Sequence, residues 1–100
     1  MNSMRRGCAA LLFAAALPLS GCAGHGREVF VREGCGSCHR FRDLGGGGAP
    51  DLTDVASRRD AASLRAQITD PAAANPGSRM PAFRRLSWFD LRSLVAFLRG

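Results

Sequence analysis

The feature that most restricts this chain is the run Cys35-Gly-Ser-Cys38-His39, two thiols three positions apart with an imidazole directly after the second. Three chemistries use such a cluster: a redox disulfide, half of a zinc site, and covalent attachment of haem. Each demands a different surrounding sequence, so the remaining residues select among them.

A structural zinc site needs four ligands. From Cys22 onward the chain offers Cys22, Cys35, Cys38, His25 and His39, with no second CxxC or HxxxH pair, and His25 sits awkwardly in a glycine-rich stretch. A thioredoxin-like CxxC belongs between a strand and a helix. Before Cys35, "REVFVREG" has Val29, Phe30 and Val31 in a row, which predicts one or two helical turns and not period-two alternation. Haem attachment explains the spacing. On a helical turn Cys35, Cys38 and His39 occupy i, i+3 and i+4, one shared face. Two thiols there can add to the two haem vinyl groups while the imidazole swings beneath the ring to the iron, and C-x-x-C-H is the signature of that attachment.

A second signal lies in "NPGSRMPAF", where Met80 precedes Pro81. Proline pushes the residue before it toward an extended conformation, so Met80 is expected on a loop. A loop methionine can simply fill a core gap. Beside a haem-binding motif, its thioether is a soft ligand suited to the sixth position of a redox haem.

The first 21 residues are expected to be an export signal. Arg5 and Arg6 form a positive start, Ala9 to Leu17 is apolar but far short of a membrane span, and small residues follow. The ending "LSGC" resembles the lipobox of bacterial lipoproteins. That resemblance implies cleavage before Cys22, a diacylglycerol on its thiol, loss of Cys8, and a short lipid-anchored linker over residues 22–25. The expected location is the periplasmic side of a bacterial membrane.

The net charge is +6, and every one of the 14 basic residues is arginine. These arginines are spread as singles and pairs without interleaved aromatics, which argues against nucleic acid. Removing Arg5 and Arg6 with the leader leaves 12 arginines against 8 acidic residues, or +4.

From about Gly26 to Arg99 the chain resembles a small bacterial class I cytochrome c. The matching pieces are "GREVFVREGCGSCH", "GGAPDLTDVASRR", "ITDP", "SRMPAF" and a final amphipathic helix. The resemblance implies an all-α cytochrome c fold over residues 26–100, three to four short helices around one covalently attached haem c. It implies Cys35 and Cys38 as thioether links, and His39 and Met80 as axial ligands of the iron. It also implies that the Pro50 carbonyl accepts the second ring N–H of His39. The chain lacks tyrosine and has no tryptophan in its middle segment. Arg58, Arg59 and Arg79 are therefore the candidates for holding the propionates.

Local pattern places the elements. A first helix is expected from Gly26 to Glu33 with Phe30 inward. Gly45 to Gly48 reads as a flexible bend, since no Gly-Lys-Ser/Thr follows to make a phosphate loop. A middle helix should open at Asp60 as N-cap, carry Leu64 and Ile68 on one face, and end at Asp70-Pro71. The last helix should be capped by Ser87, with Asp90 in a capping-box position and Leu86 and Leu91 as a staple. Leu91, Leu94, Val95 and Leu98 repeat at helical spacing, and Phe30 is expected to meet that stripe. Trp88 and Phe97 are read as packing residues.

With both axial positions filled, the implied function is one-electron transfer through a haem edge near Cys35 and Cys38, to redox partners met in small, brief contacts. No catalytic acid–base pair supports intrinsic turnover, so the chain is not read as an enzyme in itself. Two alternatives stand: a haem subunit of a membrane-associated oxidase or dehydrogenase, and a gas sensor or peroxidase should Met80 not bind.

Overall fold

The structure, a computed structural model, describes residues 21–100, with side chains from Gly24 onward. The expected leader and Cys8 fall outside the described residues, as does the side chain of Cys22.

Among the described residues four helices carry the fold: α1 (Gly21–Arg32), α2 (Ala61–Thr69), α3 (Pro71–Ala74) and α4 (Trp88–Arg99). Single 3-10 turns at Cys35–Ser37 and Val55–Ser57 and a two-residue pairing complete it, β1 (Arg40–Phe41) against β2 (Leu44–Gly45), antiparallel. The all-α expectation holds. The first helix, however, begins at Gly21, five residues before its expected start, so positions 22–25 are helical. The glycines at 21, 24 and 26 disfavour a helix locally, and packing against α4 overrides that preference.

The packing is sharpest at Gly26. A Cβ there would run into the Ser93 carbonyl oxygen and the Phe97 Cβ, so α1 and α4 cross with backbone nearly touching backbone. Around this crossing Val29, Phe30, Leu94, Val95 and Leu98 are buried. Phe97 packs as expected, its ring centroid 5.8 Å from Phe30 and 4.9 Å from Phe41. Trp88 does not: it is 70 % exposed, in the first turn of α4, with the Arg92 guanidinium 5.1 Å from its ring centroid. Gly26→Ala should lower stability by about 1–3 kcal/mol, the range for overpacking. That outweighs the roughly 1 kcal/mol of helix propensity gained, because the Ser93 carbonyl is backbone and has no rotamer to retreat into. A lowered urea midpoint at unchanged slope checks it.

The caps form largely as the sequence predicts. Asp60 Oδ1 accepts from the Ser63 amide at 2.8 Å and opens α2, whose Leu64 and Ile68 are buried. After Asp70 the chain turns at once into α3, with Pro71 at its first position, where proline's missing N–H costs nothing. Ser87 Oγ accepts from the Asp90 amide at 3.0 Å and opens α4. Asp90 does not reciprocate as a capping box. Its carboxylate accepts instead from His25 Nε2 at 2.6 Å and from the Arg32 guanidinium at 2.9 Å, tying α1 to α4.

Candidate functional site

Gly34 takes φ +76° and turns the chain out of α1 into the CxxCH segment. That left-handed conformation suits glycine. The amides of Cys38 and His39 both donate to the Cys35 carbonyl, at 3.2 and 2.9 Å. Cys35, Cys38 and His39 therefore share one helical turn. Cys35 is half-buried against the core and Cys38 is exposed.

The glycine quartet clamps this turn, correcting its reading as a flexible bend. The Gly46 amide donates to the Gly36 carbonyl at 3.1 Å, and the Ala49 amide to the Cys38 carbonyl at 3.0 Å. A Cβ on Gly45 would strike the His39 carbonyl oxygen and Gly36, and one on Gly47 would strike the Ser37 carbonyl oxygen. Gly45 also holds φ +73°. Such close backbone approach admits only glycine.

The clamp delivers Pro50 to His39. His39 Nδ1 lies 2.8 Å from the Pro50 carbonyl oxygen. A carbonyl can only accept, so Nδ1 carries a proton, and the neutral ring in that tautomer has its lone pair on Nε2 for a metal. Met80 lies on the loop between α3 and α4, half-buried against the core. Its amide donates to Ser78 Oγ at 3.2 Å, and three residues on the Phe83 amide donates to the Ile68 carbonyl at 3.0 Å, fastening the loop to α2.

Of the propionate candidates, Arg58 donates to the Asp51 carbonyl at 3.1 Å and Arg59 to Ser63 Oγ at 3.0 Å. Arg79 is exposed beside Met80.

The two thiols sit in unlike surroundings. Burial, helped by the Glu33 carboxylate, pushes the Cys35 thiol up to about 11, whereas reactive redox cysteines have depressed values. No three His, Cys, Asp or Glu side chains converge on a common point among the described residues. An imidazole with its lone pair freed, a thioether and two thiols at CxxC spacing form a donor set that fits a covalently held haem.

The profile of the cytochrome c family matches residues 23–100. The chain belongs to the cytochrome c family. Its cofactor is haem c, bound covalently, and Cys35 and Cys38 stand in the attachment motif. Curated relatives agree. This cytochrome is 32% identical to cytochrome c oxidase subunit 2 of Alkalihalophilus pseudofirmus over 83% of its own length and 27% of the relative's. It is 35% identical to the lupanine 17-hydroxylase [cytochrome c] of a Pseudomonas species, over 81% of its length and 11% of that protein. It is 41% identical to cytochrome c55X of Paracoccus denitrificans, over 56% and 52% of the two chains. The chain thus spans about a quarter, a tenth and a half of these relatives.

The sequence reading missed the knot around Asp90. The His25 hydrogen bond, and next that of Arg32, holds the Asp90 carboxyl below the usual aspartate range. A carboxylate depressed by folding stabilises the fold above its unfolded value, near pH 4, and the contribution disappears as pH falls through the lower folded value. Asp90→Asn should therefore be less stable than the parent at neutral pH, with the gap closing below about pH 4. Urea titrations across that window check it.

Proposed function

We propose that this cytochrome is a one-electron carrier, tethered by lipid on Cys22 to the periplasmic face of a bacterial membrane, with His39 and Met80 as the residues that would hold the haem iron. Electron transfer is the family's function. The observation that supports the ligand assignment is the bond from His39 Nδ1 to the Pro50 carbonyl. It fixes the tautomer, orients the ring and raises the basicity of Nε2.

When bound, the haem supplies a one-electron couple. The protein supplies rigidity at the two residues that would hold it. Pro50 and the glycine clamp hold His39 through backbone contacts. The tie from Phe83 to Ile68 restrains the loop of Met80. Were His39 and Met80 both to bind the iron, no coordination site would be left for O₂ or peroxide, which would favour transfer over activation. Cys38 is exposed beside half-buried Cys35, so a haem edge held there would be within reach of redox partners. Two propionates reduce the mature charge from +4 to about +2, which favours acidic partner surfaces.

A second reading is favoured by the relatives' names: the chain serves as the electron-accepting or electron-donating unit of a larger oxidoreductase, as oxidase and hydroxylase relatives suggest. A redox-titrated absorption spectrum of the purified holoprotein tests the carrier. A methionine–iron(III) charge-transfer band and indifference of the reduced protein to carbon monoxide support it. Ready carbon monoxide binding favours a sensor or peroxidase, and co-purification with a catalytic chain favours the subunit.

A further inference from the structure

Two large aromatic side chains of the described residues face outward side by side at the start of α4. Trp88 is 70 % exposed and Phe89 45 % exposed. Phe89 lies tilted on the His25 ring, centroids 4.7 Å apart, so the aromatic pair stands beside the opening turns of α1. Cys22 is three residues before His25 within that same helix, about 4.5 Å of rise at 1.5 Å per residue. With α1 helical from Gly21, no flexible spacer separates Cys22 from the folded body.

Charges of both signs surround the pair. Glu28 lies 3.2 Å from His25 Nδ1, and of the cations flanking the aromatics Arg85 and Arg92 make no ion pair among the described residues. Arg84 and Arg85 are exposed just before it, and Arg92 lies over the Trp88 ring. A groove lined by Arg32, Arg84, Arg85, Phe83 and Leu86 reaches the first turn of α4 at Asp90, with Glu33 and Asp90 as its acids. Asp90 contacts the His25 ring at 2.6 Å and Arg32 at 2.9 Å, Glu33 shares that guanidinium at 3.0 Å, and Arg84 reaches Asp70 at 3.2 Å. Tryptophan prefers the headgroup level of a bilayer. Stable membrane attachment commonly joins an acyl chain to an apolar or basic surface.

We propose that Trp88 and Phe89, flanked by Arg84, Arg85 and Arg92, form a face that lies on an anionic phospholipid surface and fixes the orientation of the domain there. The proposal rests on the anchored-carrier reading. An acyl chain on Cys22 would bring the bilayer to within a few residues of His25 and Phe89, with no slack for the domain to swing away. The haem motif follows the other end of α1. The tether therefore acts as an orienting clamp as well as a leash.

Radical footprinting of the full holoprotein, read residue by residue by mass spectrometry, tests this. Trp88 and Phe89 should oxidise readily in detergent-free solution. They should be protected several-fold on phosphatidylcholine–phosphatidylglycerol vesicles and less on phosphatidylcholine alone. Arg84→Glu with Arg85→Glu should reduce that protection while the haem spectrum stays unchanged. Undiminished oxidation of both aromatics on anionic vesicles overturns the face, as does protection that arises only when an acidic protein is added. The mass of the same preparation reports acylation of Cys22 separately. An unmodified Cys22 defeats the anchor, and the vesicle footprint then decides the face by itself.

Discussion

Replacing both Cys35 and Cys38 by alanine should yield a chain without covalent pigment and without a cooperative thermal transition. The buried hydrophobic set comprises Val29, Phe30, Phe41, Val55, Leu64, Ile68, Leu94, Val95 and Leu98. It is small for a domain of about 80 residues, a size at which natural proteins add a staple. Met80, Cys35, Leu44 and Leu52 pack against this set only partly buried, leaving apolar surface for a porphyrin to cover. A group bound only by the folded state shifts the equilibrium toward it, and net stabilities are only about 5–15 kcal/mol. Loss of both links should therefore remove most of the stability. Circular dichroism melts and a pyridine haemochrome spectrum of the double variant check it; a cooperative, native-like melt would show that the polypeptide folds unaided.

Met80→Ala should keep its covalent haem and its fold but lose the proposed sixth ligand. Methionine opposite histidine raises the potential, and axial ligands span about 0.8 V across haem proteins. The variant's potential should therefore fall by about a tenth of a volt or more, and its reduced form should bind carbon monoxide. The fold should persist because the loop keeps its tie from the Phe83 amide to the Ile68 carbonyl. An unchanged potential and spectrum would remove Met80 from the iron.

What the sequence disclosed was local. Asp60 and Ser87 cap α2 and α4 because a short polar side chain before an amphipathic run satisfies a free amide wherever it occurs. The stripe of Leu94, Val95 and Leu98 is buried because helical spacing puts those residues on one side. CxxCH stood out because three chemically distinctive residues fall on one turn.

What stayed hidden was made by contacts between distant segments. Gly26 read only as the start of the first helix, yet it is where α1 presses on Ser93 and Phe97. Gly45 and Gly47 read as slack, yet they admit the backbone of the Cys35–Cys38 turn. Asp90 had the spacing of a capping box, but the His25 ring and the Arg32 guanidinium on α1 take its carboxylate instead. Trp88 lies three residues before Leu91, on the stripe's spacing, but in the first turn of its helix, where it stays exposed.

The central claim is that one haem is bonded through sulfur at Cys35 and Cys38. Acid–acetone extraction of the denatured holoprotein, followed by intact mass, measures it directly. The account predicts that the colour stays with the polypeptide and that the mass exceeds the bare chain by one haem. Pigment released entirely into the solvent, or a colourless product from a host that matures such proteins, would contradict it.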